Sequence, residues 1–565
     1  MRSALLCWGG ALSASVPRSG RRDRFRLIMP FFFRSKRRKK LALFSLFLAS
    51  TVKPVALADI SIEVGGIKYP VKFIPILPRS KRSSWHVAFV SLSVSVDDVR
   101  DMSIHNKVRA CIGEPTDPQY LCCPIAFDVL RRGYTAAHGP LLDTGDNTVM
   151  FFRQSRGRSL VLTVRNANVT DGAAAKVKIR LAWLAAKIIP SKRPVIIFEK
   201  NSRRYEESGR AVFEALVDRG EPDVRFFIAD DCWDASEVDK KYSDRFVGTH
   251  TFRHYFLFFR SRCFIGTEAL AHALELRCQS LLVYRKTIGS RNKYVFLQHG
   301  VMYMISLDSP QRVSFRKDRL PSCSSVVVSS ELERDHFVDL AGFDPSELIV
   351  SGLPKFDRSW MDEGADKILI MPTWRFWEFN QARNDFSQTG YARMVERIIA
   401  AIPEHLSDKI IVAPHPLMAA SSFAGGETGV SYDVLLRSVR LLITDYSSIA
   451  YDAFYRGANV VFYWEELEEC MEHYGSPTHL MLNETTAFGD VRYTPDDLAK
   501  SVQRLYGAAQ PEEYVERYRK IVKFHDGKNT ERLIEALENN GITYCGARAV
   551  SRAQSCKDVR KGEAA

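Results

Sequence analysis

The chain has 565 residues, 46% hydrophobic and 26% charged, which excludes a disordered protein and leaves room for about three or four domains with substantial cores. Its formal charge of +14 is concentrated: between Arg18 and Lys40 stand eleven Lys or Arg and one acid, Asp23, so the remainder is nearly balanced and a domain-wide basic footprint for nucleic acid is excluded. Eleven scattered cysteines, with only Cys122 and Cys123 adjacent, announce neither a disulfide framework nor a zinc knuckle, as suits a reducing compartment.

In chain order, residues 1–58 read as a basic and apolar arm. "MPFFFRSKRRKKLALFSLFLASTVKP" places six cations, Arg34 and Lys36 to Lys40, ahead of an apolar run from Leu41 to Val52. That run is about twelve residues, short of the roughly twenty that span a bilayer. Two readings stand: a signal peptide with small residues at Ala56 to Ala58, and anchoring on an anionic membrane surface, where each cation contributes on the order of 1 kcal/mol. An alternative start at Met29 would leave residues 1–28 untranslated.

Residues 59–180 alternate in short runs, "ISIEV", "KYPVKFIPIL", "WHVAFVSLSV", "TVMFFR", "SLVLTV" and "KVKIRL", punctuated by Gly, Pro, Asp and Asn. Period two at this spacing predicts a small antiparallel β-sandwich-like domain, an accessory module that braces its neighbours or binds carbohydrate. After a helix over "LAWLAAKIIP" the pattern becomes compact apolar runs alternating with helical stretches. The runs "VIIFEK", "VRFFIA", "RCFIGT", "SLLVY" and "YVFLQHG" belong to residues 194–355. "KILIMPTWR", "KIIVAPHP", "LLITDYSS" and "NVVFYW" belong to 356–540, with 541–565 as a flexible tail. The fold class is α/β, with buried runs and helices predicting parallel doubly wound sheets whose ligands sit at the strand carboxyl ends.

Four strand ends carry chemistry. "LQHG" offers His299, "MPTWR" offers Thr373 and Arg375, "APHPLM" offers His415, and "TDYSS" offers Asp445, Ser447 and Ser448 at a helix start. Each alone has a plain structural explanation, Ser447 as a helix cap for instance. Together, two imidazoles, a guanidinium and hydroxyls beside unpaired N–H groups suit a diphosphate. The acidic run "DDCWD" at 230–234 reads as a solvated loop, and no metal or other cofactor is expected.

From Asn201 to Leu537 these motifs, with "NSRRYEESGRAVFEAL", "FIGTE", "VSSELERDHFVDLAGFDPSELIVSGLPKFD" and "KFHDGKNTERLIEAL", resemble the CDP-glycerol glycerophosphotransferases that build teichoic acids and related capsule polymers. The resemblance implies two Rossmann-like domains of GT-B type, acceptor-binding over 194–355 and CDP-donor-binding over 356–540. It implies transfer of glycerol phosphate or another polyol phosphate from a CDP-activated donor to a polymer hydroxyl, with release of CMP. By position it makes His299 the general base and His415 the second essential histidine, with Arg375, Thr373, Asp445, Ser447 and Ser448 holding the donor diphosphate. The partners implied are a CDP-polyol donor, a lipid-linked polymer acceptor and the cytoplasmic face of the membrane, with no nucleic acid. The sequence departs where Gln298 replaces the usual Trp, "VMYM" the usual "TPLK", and "GLPKFD" the usual "GYPRND", all on the acceptor side. A GT-B glycosyltransferase using a nucleotide sugar, and a non-catalytic membrane scaffold, are the competing readings.

Overall fold

The computed structural model describes residues 24–543 except 36–38, 70, 77–82, 100–101, 103–104, 114–119, 129–140, 146, 156–158, 235–237, 275–277, 279, 289–292, 321–322, 374, 379–380, 383–384 and 414–431. It divides into two compact units, residues 1–168 and 169–565.

In the first unit one sheet runs, in spatial order, Lys72–Pro75, Ser83–Ser95, Lys40–Val55, Arg24–Ser35 and Ala126–Asp128. A second runs Leu142–Gly145, Thr148–Gln154, Leu160–Asn166, His105–Ile112, Ile60–Val64 and Ile67–Tyr69, with Leu121–Pro124 also paired to His105–Ile112. Pairing is antiparallel except between Arg24–Ser35 and Ala126–Asp128. One buried cluster joins Leu41, Leu43 and Phe47 of the first sheet to Ile62, Val108 and Phe152 of the second.

The predicted arm is therefore corrected. Its apolar run lies in the strand Lys40–Val55, hydrogen-bonded on both sides, with Leu41, Leu43, Ser45, Phe47 and Ala49 buried at period two. The opposite face carries Ala42, Phe44, Leu46 and Leu48, so a strand apolar on both faces presents as an unbroken run. Cys111 and Cys122 face each other across the antiparallel pair and form a disulfide, a single bridge that the cysteine spacing did not announce. Among the described residues no helix is long and apolar enough to cross a membrane.

The second unit opens with the helix Ala173–Ile188, which buries Ala175, Ile179, Ala182 and Ala186 on one stripe. "KVKIRL" falls inside it, so the alternation expected there as a strand belongs to a helix period. A seven-stranded parallel sheet follows, ordered Phe246–Gly248, Val224–Ile228, Val195–Phe198, Cys263–Gly266, Lys293–Phe296, Cys323–Val328 and Leu348–Val350. "SLLVY", expected as a strand, starts the helix Leu281–Ile288. The second parallel sheet is ordered Ile410–Val412, Lys367–Ile370, Val439–Thr444, Asn459–Tyr463 and Asp490–Arg492. Strands such as Val195–Phe198 and Asn459–Tyr463 are buried along their whole length, because helices cover both faces of a parallel sheet.

One core runs through both parallel sheets, joining Ile197, Leu297 and Val327 to Leu369, Leu442 and Phe462. The backbone fastens them too: Ser306 N–H donates to His479 C=O at 2.7 Å, and Met481 N–H to Met304 C=O at 3.0 Å. The helix Asn529–Asn539 returns from the second sheet, and Asn529 and Thr530 N–H donate to Asp357 at 2.9 and 2.7 Å. Gly352, at φ +79°, lies so close to this helix that a Cβ would stand 2.2 Å from Asn529 Oδ1. These ties hold the carboxyl ends of the two sheets in a fixed relation.

Candidate active site

The strand Lys293–Phe296 runs into Leu297, Gln298, His299 and Gly300. Gln298 takes the left-handed conformation, φ +59°, uncommon for a side-chain-bearing residue and stabilised only by its surroundings. Its amide donates to Val327 C=O at 2.6 Å, and the buried Glu333 carboxylate accepts from Met302 N–H at 2.8 Å and Ser329 N–H at 2.6 Å. Thus anchored, the corner projects His299. Burial of part of the ring and the charges of Lys200, Arg312 and Lys355 push its imidazole down to about 3, so it stands neutral at pH 7 although 36% of the side chain is exposed. Its Nδ1 lies 3.6 Å from Glu268 Oε1. Lys355 Nζ donates to the His299 carbonyl at 2.8 Å and pairs with Asp452 at 2.5 Å, which ties this corner to the helix Ile449–Tyr455 of the second sheet.

The second corner follows the strand Val439–Thr444, as the sequence predicts. Asp445 is 1% exposed; it accepts from Thr373 N–H at 2.7 Å and from Tyr446 N–H, while its own carbonyl accepts from Trp464 Nε1–H at 3.1 Å. Arg375 is 2% exposed and donates to Asp445 Oδ2 at 2.7 Å, Thr373 C=O at 3.1 Å and Glu466 Oε2 at 3.3 Å. Burial opposes its charge, but the carboxylates of Asp445 and Glu466 outweigh burial and hold the guanidinium protonated. Arg375 and Asp445, expected from the sequence to hold the donor diphosphate, pair with each other in a buried brace behind the corner. Their charges are spent on each other, and the brace fixes Thr373 against Tyr446.

Ser447 and Ser448 remain half-buried at the surface of the corner. A Cβ on Gly300 would stand 3.0 Å from Ser448 Oγ and 3.6 Å from Ser448 Cβ, so the His-Gly corner and the Ser-Ser corner meet. A Cβ at 300 would press on the Ser448 hydroxyl but stand at ordinary contact distance from its Cβ. Thr373 adjoins through Asp445, with its Oγ1 buried and unpartnered among the described residues. His415 lies outside the described residues. A cavity of 690 Å³ lined by Trp464, Leu467, Met471, Leu480, Leu482 and Tyr493 neighbours the second corner, but His299 and Ser448 do not line it.

Sequence reasoning did not single out Asp452, Glu268 or Glu466, and it met Lys355 only as part of the departure "GLPKFD". Glu268 had a signal, a carboxylate ending an apolar strand in "FIGTE". Glu466 had none, since it meets Arg375 across 91 residues of chain.

Residues 182–539 match the family described as CDP-Glycerol:Poly(glycerophosphate) glycerophosphotransferase. The chain belongs to that family. The minor teichoic acid biosynthesis protein GgaB of Bacillus subtilis (strain 168) is 23% identical over 390 residues, covering 62% of this chain and 41% of that protein. The chain thus spans about two fifths of the length of this relative. Among solved structures, the wall teichoic acid polymerase TagF aligns over 65% of this chain and 96% of its own, with TM-score 0.47 and 14% identity. A UDP-GlcNAc 2-epimerase from Neisseria meningitidis aligns over 62% of this chain and all of its own, with TM-score 0.38 and 11% identity. In this glycerophosphotransferase-family chain the matched span encloses both parallel sheets and both corners.

Proposed function

We propose that this chain transfers a polyol phosphate, in the first instance glycerol phosphate, from a CDP-activated donor to a hydroxyl of a lipid-linked teichoic-acid-like or capsular polymer, releasing CMP. The observation that carries this reading is the meeting of Gly300, the residue after the neutral His299, with Ser448 of the hydroxyl-bearing corner. Family membership and the names of GgaB and TagF support the chemistry. The two sheets are read as GT-B-type halves, the first binding acceptor over 194–355 and the second binding donor over 356–540. The β-rich first unit is read as an accessory module. Membrane contact in this reading rests on the cations between Arg18 and Lys40, since the following apolar run is committed to a sheet.

In the reaction His299 takes the proton from the acceptor hydroxyl. The acceptor oxygen bonds to the donor's β-phosphorus as the bond from that phosphorus to the bridging oxygen breaks, and the bridging oxygen leaves on CMP. Ser447, Ser448, the neighbouring N–H groups and His415 hold the diphosphate, while Arg375 and Asp445 keep Thr373 and the Ser corner in place. Positioning and electrostatics supply most of the rate, as in phosphoryl transfer generally.

Purified protein should release CMP from CDP-glycerol or CDP-ribitol in the presence of a polymer acceptor and lengthen that polymer, and should leave nucleotide sugars untouched. Sugar transfer without CMP release from either polyol donor would replace this reading with a glycosyltransferase.

A further inference from the structure

Glu268 stands two residues beyond the strand Cys263–Gly266, and parallel register sets Gly266 beside Phe296 of the strand that leads to His299. Neighbouring strand ends thus deliver the carboxylate and the imidazole to one place. Glu268 Oε1 lies 3.6 Å from His299 Nδ1, and Oε2 lies 3.8 Å from His272 Nε2. His299 Nδ1 is buried with no hydrogen-bond partner among the described residues, whereas the ring as a whole is partly open. Catalytic hydrogen bonds are often long before substrate binds, and this carboxylate faces the buried ring nitrogen a little beyond hydrogen-bond range.

We propose that Glu268 is a positioning residue for His299, accepting the Nδ1–H so that Nε2 is left free to take the acceptor hydroxyl's proton. This rests on the reaction proposed above. The proton leaves the hydroxyl for Nε2, the imidazolium so formed is stabilised by the carboxylate beside Nδ1, and no further co-reactant is needed. Which ring nitrogen carries hydrogen is set by the partner of the other, and a carboxylate partner selects the Nδ1–H form.

The surroundings set a pH signature. Lys200, Arg312 and Lys355 act on His299, whose neighbour Thr267 offers a carbonyl; Lys200, Glu207 and His272 act on Glu268, and Lys355 is itself paired with Asp452. Burial, opposed by Lys200 and reinforced by Glu207, lifts Glu268 to about 7, while His299 is held low. The competent pair, ionised Glu268 and neutral His299, therefore forms as pH rises through about 7, and the rate falls below it.

Glu268→Gln removes that ionisation. Its kcat should fall roughly tenfold to a hundredfold, donor KM should stay within about twofold, and the acid limb near pH 7 should vanish. Glu268→Asp should restore the limb and part of the rate. A wild-type kcat in Glu268→Gln, or a lowered kcat that keeps the limb near pH 7, would overturn the proposal. A protein that releases no CMP from any polyol donor would instead overturn the reaction, and the contact is then read without turnover. In protein carrying ¹³C-labelled histidine, with the His299 resonance identified by its loss in His299→Gln, the wild type should show the Nδ1–H tautomer and Glu268→Gln should not. An unchanged tautomer would overturn the proposal.

Discussion

His299→Ala should lower the rate of CMP release by at least about a hundredfold while leaving CDP-glycerol affinity nearly unchanged. General-base assistance contributes about 10² to 10⁴ in rate, and in the proposed reaction the base is the neutral imidazole of His299, next in sequence to the Gly300 that meets the Ser corner. Affinity should survive because the hydroxyls and N–H groups assigned to the diphosphate belong to the second corner. The fold should survive because Lys355 binds the backbone carbonyl of His299 and Glu333 fastens the neighbouring N–H groups, none of which the substitution removes. Initial rates of CMP release and calorimetric titration with CDP-glycerol check both halves of the expectation. A near-normal rate would remove His299 from the chemistry.

Arg375→Ala should cost about 3–5 kcal/mol of stability, the range for breaking a buried ion pair from one side, because Asp445 would be left buried and without its cation. Glu466 would lose the same partner but keep Arg397 at 3.4 Å. Activity should fall with stability, since Asp445 also orients Thr373 N–H and Tyr446 N–H. Arg375→Lys should fall between the two, as one ammonium cannot reproduce the fork that reaches Asp445, Thr373 and Glu466 together. The urea midpoint measures the loss, provided the slope of the transition is unchanged. An unaltered midpoint with a raised donor KM would return Arg375 to the role of a diphosphate clamp.

Motif identity and strand-end placement were legible in the sequence; the partners of each side chain were not. The stretch from Leu441 to Trp464 folds as its pattern predicts, strand, corner, helix and strand, because each local signal agrees with the tertiary outcome. Arg375 was legible as a strand-end cation, but its burial depends on Asp445 and on Glu466, which the turn after a strand two places along the sheet brings into reach. The run from Leu41 to Val52 was misplaced because both of its faces are apolar, which hides a period of two. "KVKIRL" misled in the opposite way, its β-branched residues alternating by chance within a helix whose buried stripe is carried mostly by alanines. The pairing of Cys111 with Cys122 depends on strand register, which a spacing of eleven residues does not fix.

The central claim is that the His-Gly corner and the Ser-Ser corner wall one crevice that holds the donor pyrophosphate. Cysteines at 300 and 448 test it, since the 3.6 Å between a Cβ at Gly300 and Ser448 Cβ falls within the roughly 3.5–4.5 Å that a disulfide requires. Mild oxidation of the Gly300→Cys, Ser448→Cys protein should join the two, as mapped by peptide mass, at a rate that CDP-glycerol slows. Two thiols that stay free under oxidation, or that join equally fast with the donor present, would contradict it.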